Sequence, residues 1–216
     1  TLPNAGDPTE PTAPHRASRG WWWLAAVLGG GSLLAAGLDP RQLDWQPSLA
    51  LTQPWRCWSA AWVHWSDGHR WANLVGTLLV AALGWRACCD RFDSTAWFIA
   101  WPLTHLGLLS QPALAHYGGL SGVLHAGVVV AAISLLQRER GIRRALGAAL
   151  LLGVALKIGL EQPWQGALQR LPGWDIAIAP GAHLSGALAG AVCALAAALW
   201  RRHPDAPRHA SDGFQP

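Results

Sequence analysis

The sequence predicts an all-α membrane protein, a bundle of six transmembrane helices, and three observations carry the prediction. Residues 94–137 run for 44 positions without an Asp, Glu, Lys or Arg. A second uncharged segment extends from Ile176 to Trp200. Over all 216 residues, 51% are hydrophobic and only 13% charged, about half the charge of an ordinary soluble domain. Such stretches suit a bilayer, whose hydrocarbon core is crossed by roughly 20 apolar residues in a helix.

The elements follow in order. Residues 1–20 are polar and rich in Pro and Thr, and are expected to be a disordered tail. The first span is expected over 21–38; it ends without a good small-residue cleavage site, so it reads as a helix and not as a removable leader. Residues 39–68 form the longest loop and contain Trp45, Trp55, Trp58, Trp62 and Trp65. Tryptophan favours the headgroup zone, which places this loop in the outer interface. Further spans are expected over 69–87, 94–111, 118–136, 143–160 and 180–200. Pro102 and His105 interrupt the third span, and Lys157 interrupts the fifth. A polar tail over 201–216 follows, leaving a six-helix domain over 21–200.

Charge sets the orientation. With both termini inside, eleven of the sixteen Lys and Arg residues fall on the inner side, among them the cluster Arg138, Arg140, Arg143 and Arg144. The positive-inside rule favours this topology. It also makes a prediction that was not built into it. His69, Asn73, Ser121 and His183 all lie at the starts of helices running from outside to inside, so they share one layer just below the outer surface. The net charge of +4 comes mostly from loop arginines and gives no basic, aromatic-interleaved patch for nucleic acid. Inverted repeats and charged midplane sites, the marks of a transporter, are absent from the sequence. Cys57, Cys88, Cys89 and Cys193 have no metal-ligand spacing and read as small apolar filler, so neither metal nor cofactor is expected.

The shared layer carries the chemistry. A serine hydroxyl is a weak nucleophile until a base takes its proton, and imidazole is the usual base. Ser121 lies in Gly118-Gly119-Leu120-Ser121-Gly122, and His183 is followed by Gly186 and Gly190 at GxxxG spacing. Small faces of this kind let membrane helices approach closely. His69 and Asn73 are four apart and share a helix face, where both could donate to an oxyanion. An equal alternative is that they satisfy loop carbonyls. His125, at i+4 from Ser121, reads as a core histidine or a tuning group. Lys157 and Glu161, also four apart, read as a structural ion pair at a helix end. No carboxylate is placed by sequence to orient His183, so a Ser–His dyad is the expected machinery.

Taken together, these residues resemble the rhomboid intramembrane serine proteases over roughly residues 50–200. The matching pieces are Trp55-Arg56, the spacing H-x4-H-x3-N of His64, His69 and Asn73, Gly119-Leu120-Ser121-Gly122, and Ala182-His183 with Gly186 and Gly190. Each piece alone is weak; all of them in order are specific. The resemblance implies Ser121 as nucleophile, His183 as base, His69, Asn73 and Gly122 around the oxyanion, and a structural role for His64. Within that superfamily the chain looks most like the rhombosortase branch, through Leu120-Ser121-Gly122-Val123-Leu124-His125, Lys157-Ile158-Gly159-Leu160-Glu161-Gln162 and Ala182-His183-Leu184-Ser185-Gly186-Ala187. Ala126 stands where that branch often has Gly. The branch implies an enzyme of a bacterial inner membrane, its site open to the periplasm. Its implied substrates are exported proteins with a C-terminal Gly-Gly-type transmembrane tail, and the acyl acceptor is water or a lipid-derived amine. Two alternatives stay open: a rhomboid protease of other substrates, and a non-catalytic relative that binds membrane segments.

Overall fold

A computed structural model describes residues 18–170, 172–173 and 175–202; residues 1–17 and 203–216 of the tails expected over 1–20 and 201–216 lie outside them, while helices reach back to Arg19 and on to Arg202. The fold is all-α. Its helices are α1 (Arg19–Leu34), α2 (Pro40–Leu43), α3 (Arg56–Ser59), α4 (Asp67–Arg86), α5 (Arg91–Leu106), α6 (Ser121–Arg138), α7 (Gly141–Glu161) and α8 (Pro180–Arg202). A two-stranded antiparallel ribbon pairs β1 (Gln169–Arg170) with β2 (Ala177–Ile178) between α7 and α8. The six long helices fall where the six spans were expected. α6 begins three residues late, because Gly118 to Leu120 remain outside the helix.

By length and hydropathy alone, two helices are suited to crossing a membrane: Ser121–Arg138 and Pro180–Arg202. The others fall short for visible reasons. α1 and α5 have 16 residues each. α4 carries Asp67, His69, Arg70, Asn73 and Arg86, and α7 carries Arg143, Arg144, Lys157 and Glu161. Pro102 does not end α5, which continues to Leu106.

Successive long helices alternate in direction. Hydrogen bonds join the start of α1 to the end of α4 (Ser18 N–H to the Cys89 carbonyl, 2.8 Å) and the start of α7 to that same end (Arg143 to the Arg86 carbonyl, 2.8 Å). At this end a charge cluster clamps three helices. Asp90 caps α5 and accepts from Arg138 at 2.9 Å and Arg201 at 3.0 Å; buried Asp93 accepts from the same two arginines at 2.7 and 2.6 Å. Ser134 adds a bond to Asp93 at 3.1 Å. Two arginines facing two carboxylates in hydrogen-bonding geometry compensate the cost of taking those charges out of water.

α6 is the central helix and packs most extensively on α8 and α7. The core around it is built from Leu, Val, Ala and tryptophan. Trp21 stacks on Trp97 with centroids 4.4 Å apart. Three indoles find backbone acceptors: Trp21 donates to the Val80 carbonyl at 3.1 Å, Trp97 to Val123 at 2.9 Å and Trp101 to Trp58 at 3.0 Å, whereas the buried N–H groups of Trp45 and Trp62 have no partner among the described residues. The tryptophans of the long loop divide between interior and surface. Trp45 is fully buried, and Trp58 and Trp62 pack on the core, while Trp55 and Trp65 remain exposed. An amphipathic indole suits a headgroup zone and a protein interior alike, so the sequence does not separate them.

The contact between α6 and α8 is a backbone contact. A Cβ on Gly190 would lie 2.6 Å from the Ala126 carbonyl oxygen, and one on Gly122 would lie 2.7 Å from that of Ala182; one on Gly186 would collide with the Gly122 carbonyl. Gly190→Leu is therefore expected to lower the melting temperature in detergent by an amount matching about 1–3 kcal/mol of overpacking. Gly153→Ala on α7, where nothing lies within 4 Å, should leave it unchanged or slightly raised. Equal effects of the two substitutions would show that the contact does not limit stability.

Candidate active site

The chain before α6 is held by the long loop. Trp45 and Tyr117 exchange backbone hydrogen bonds at 2.7 and 2.8 Å, and the Gly119 N–H donates to the Ala60 carbonyl at 3.0 Å. Gly119 has φ +153°, and a Cβ there would sit 3.1 Å from the His69 ring. Glycine is required both by that backbone angle and by the space. Beneath the loop, buried Asp44 receives Arg56 at 3.0 Å and His116 at 2.6 Å. This ion pair fixes the layer on which the turn rests.

Ser121 is the first residue of α6, and no side chain caps the helix. The first backbone bond there runs from Leu124 N–H to the Leu120 carbonyl. First-turn N–H groups have no partners within a helix, and the helix dipole favours negative charge beside them. The His183 Nε2 lies 2.9 Å from Ser121 Oγ. Its ring stacks on His125 with centroids 4.4 Å apart and planes 19° apart, and His125 Nδ1 donates to the Ser121 carbonyl at 2.7 Å.

His69 and Asn73 lie on α4, across from Ser121, and line the same cavity of about 1100 Å³ with Ser121, His125, Lys157, Glu161 and His183. His69 Nδ1 and Asn73 Nδ2 are buried and have no hydrogen-bond partner. An unmatched buried polar group costs about 1–3 kcal/mol; Asn73 Nδ2 donates, and His69 Nδ1 donates in the tautomer that carries its proton there, so both can serve a bound acceptor. The cavity continues as an apolar groove between α4 and α7, past Gly76, Leu79 and Val80 on one side and Val154, Leu150 and Leu146 on the other. α7 packs on α6 and α8, and within it only Gly147 and Ile158 are buried.

Three placements differ from the expectation. Glu161, read as half of a structural pair, does form an ion pair with Lys157, but its Oε2 also lies 2.6 Å from His183 Nδ1. A carboxylate therefore does face His183, where sequence placed none. Tyr117 was missed. It is the only tyrosine in the chain and stands four residues before Ser121, which was the available signal. Its hydroxyl donates to the Gly119 carbonyl at 3.2 Å and lies beside the Ser121 side chain. Burial pushes that hydroxyl up to about 12, so it stays protonated. His105, which gave no signal, is fully buried and bonds the Cys57 carbonyl at 2.7 Å.

His64 packs edge-on to His69 at 4.9 Å and donates from Nδ1 to the Trp62 carbonyl at 3.1 Å. Burial, helped by the neighbouring His69, lowers His64 to about 4. Between pH of about 6.5 and about 4 the unfolded chain binds a proton that folded His64 does not. Stability is therefore present above that window and is lost as pH falls through it. Melting temperatures measured against pH should fall less steeply across this range in His64→Gln than in wild type; parallel curves would remove His64 from the effect. In comparison with known proteins, the chain matches no family model and no curated protein.

Proposed function

We propose that the protein is an intramembrane serine endopeptidase of the rhomboid type: a six-span bundle with both termini on the cytoplasmic side and its site opening to the periplasm of a bacterium. The observation that carries the reading is the 2.9 Å contact between Ser121 Oγ and His183 Nε2, in a cavity that also holds two unsatisfied donors and opens into an apolar groove. A serine with a base on one side and free donors on the other has the parts of an acyl-transfer site.

In the proposed reaction, Ser121 Oγ attacks a peptide carbonyl carbon while its proton passes to His183 Nε2. The carbonyl oxygen becomes an oxyanion, stabilised by Asn73, His69 and the backbone N–H groups of the first α6 turn, where the helix dipole favours negative charge. The C–N bond breaks as His183 returns the proton to the leaving amine, leaving an acyl ester on Ser121. Water, deprotonated by His183, then attacks the ester; the acid product leaves and Ser121 regains its proton. A lipid-derived amine reaching the same carbon would give an amide instead.

The groove supports a substrate with a membrane-spanning tail. From Leu146 to Glu161, α7 offers about 22 Å of wall at 1.5 Å per residue, enough for several turns of an apolar helix with the scissile bond beside Ser121. We assign exported proteins with a C-terminal Gly-Gly-type tail as the substrate class.

Purified protein in detergent should label with a fluorophosphonate serine probe, and Ser121→Ala and His183→Ala should each abolish labelling. Folded wild type that fails to label would turn the reading towards a non-catalytic binder of membrane segments. Asn73→Ala should lower turnover of a tail-anchored substrate by about 10²-fold, the usual cost of one oxyanion donor. Unchanged turnover would return Asn73 to a loop-satisfying role.

A further inference from the structure

Resting on the serine-peptidase reading of Ser121 and His183, we infer that Glu161 is a positioning residue of the site: its carboxylate holds His183 in the one tautomer that can take the Ser121 proton. A neutral imidazole carries a single N–H, and the hydrogen bond made by one nitrogen decides the state of the other. Glu161 Oε2 is 2.6 Å from Nδ1, and an ionised carboxylate only accepts. The proton therefore sits on Nδ1, and the lone pair on Nε2 faces Ser121 Oγ at 2.9 Å. When Ser121 gives up its proton, the ring becomes cationic beside a carboxylate that stays ionised. No proton passes to Glu161, and the base gains a counter-charge at the step that needs it.

Lys157 has a separate part. Its ammonium lies 3.4 Å from His183 Nδ1, but an ammonium has no lone pair to accept with, so this contact cannot hold that tautomer. Lys157 instead pairs with Glu161 Oε1, leaving Oε2 for the histidine. The His125 ring fixes the imidazole plane from one face, and Glu161 fixes its rotation within that plane. α7 ends at this point because Gln162 turns left-handed, with φ +48°, so the carboxylate stands at the helix terminus facing α8. A plain Lys–Glu surface pair would have no need of His183.

The test uses the full chain in detergent and the rate of fluorophosphonate labelling. Glu161→Gln keeps the shape but presents an amide that can donate to Nδ1 and favour the wrong tautomer. It should slow labelling by about 10²- to 10⁴-fold, the range seen when a triad carboxylate is made neutral, with little change in melting temperature. Glu161→Ala should be slow and should recover with added formate, a small carboxylate that fits the vacated space. Lys157→Met, which removes the ion pair but keeps the carboxylate, should cost less than about tenfold. Glu161→Gln labelling within about threefold of wild type, or Lys157→Met costing as much as Glu161→Gln, would overturn the positioning role while leaving the nucleophile intact. Loss of Ser121-dependent labelling in wild type itself would instead remove the peptidase reading on which this role rests.

Discussion

The closeness of α6 and α8 is the constraint on which the rest of the molecule depends. Ser121 and His183 lie on different helices, 62 positions apart, and their 2.9 Å contact exists only because the two backbones nearly touch. Gly122, Gly186 and Gly190 remove the side chains that would hold them apart. At the opposite end, Arg138 of α6 and Arg201 of α8 meet the same two carboxylates of α5. The pair is thus fixed at both ends, by absence of bulk at one and by opposite charge at the other. Directional bonds at the charged end set register, and steric fit at the glycine end sets distance.

Buried polarity is concentrated at these two levels. Asp93, Ser94 and Ser134 lie at the charged end, and Asp44, Arg56, His69, Asn73 and His183 at the end that holds Ser121. Between them the interior is mostly apolar and aromatic: buried Thr77 bonds the Asn73 carbonyl, and the indoles of Trp21 and Trp97 donate to backbone carbonyls. Polar groups at a helix terminus can use backbone donors and acceptors left free there.

Much of this was legible in the sequence, and the limits were physical. The six helices follow from uncharged runs and from where arginines punctuate them. Ser121, His183, His69 and Asn73 could be grouped because alternating helix directions return every second helix start to one layer. The role of Glu161 could not be read. Its spacing from Lys157 shows that they share a face, but what that face meets depends on how α7 leans on α8, and this is tertiary packing. Trp45 was misplaced for a related reason, since its burial comes from a bridge to Tyr117 some seventy residues away. Apolar periodicity reports that a face is buried and says nothing about its neighbour.

The unequal anchoring of the helices has its own consequence. Ser121 and His183 ride on the two most deeply packed elements, whereas Glu161 rides on α7, which buries only two residues of its own. Local unfolding begins where buried contacts are fewest. A partial opening of the fold would therefore detach the Glu161 carboxylate while Ser121 and His183 still faced one another. In the proposed enzyme, thermal or chemical stress would then act in two stages, first loosening the carboxylate from His183 and only later the frame itself.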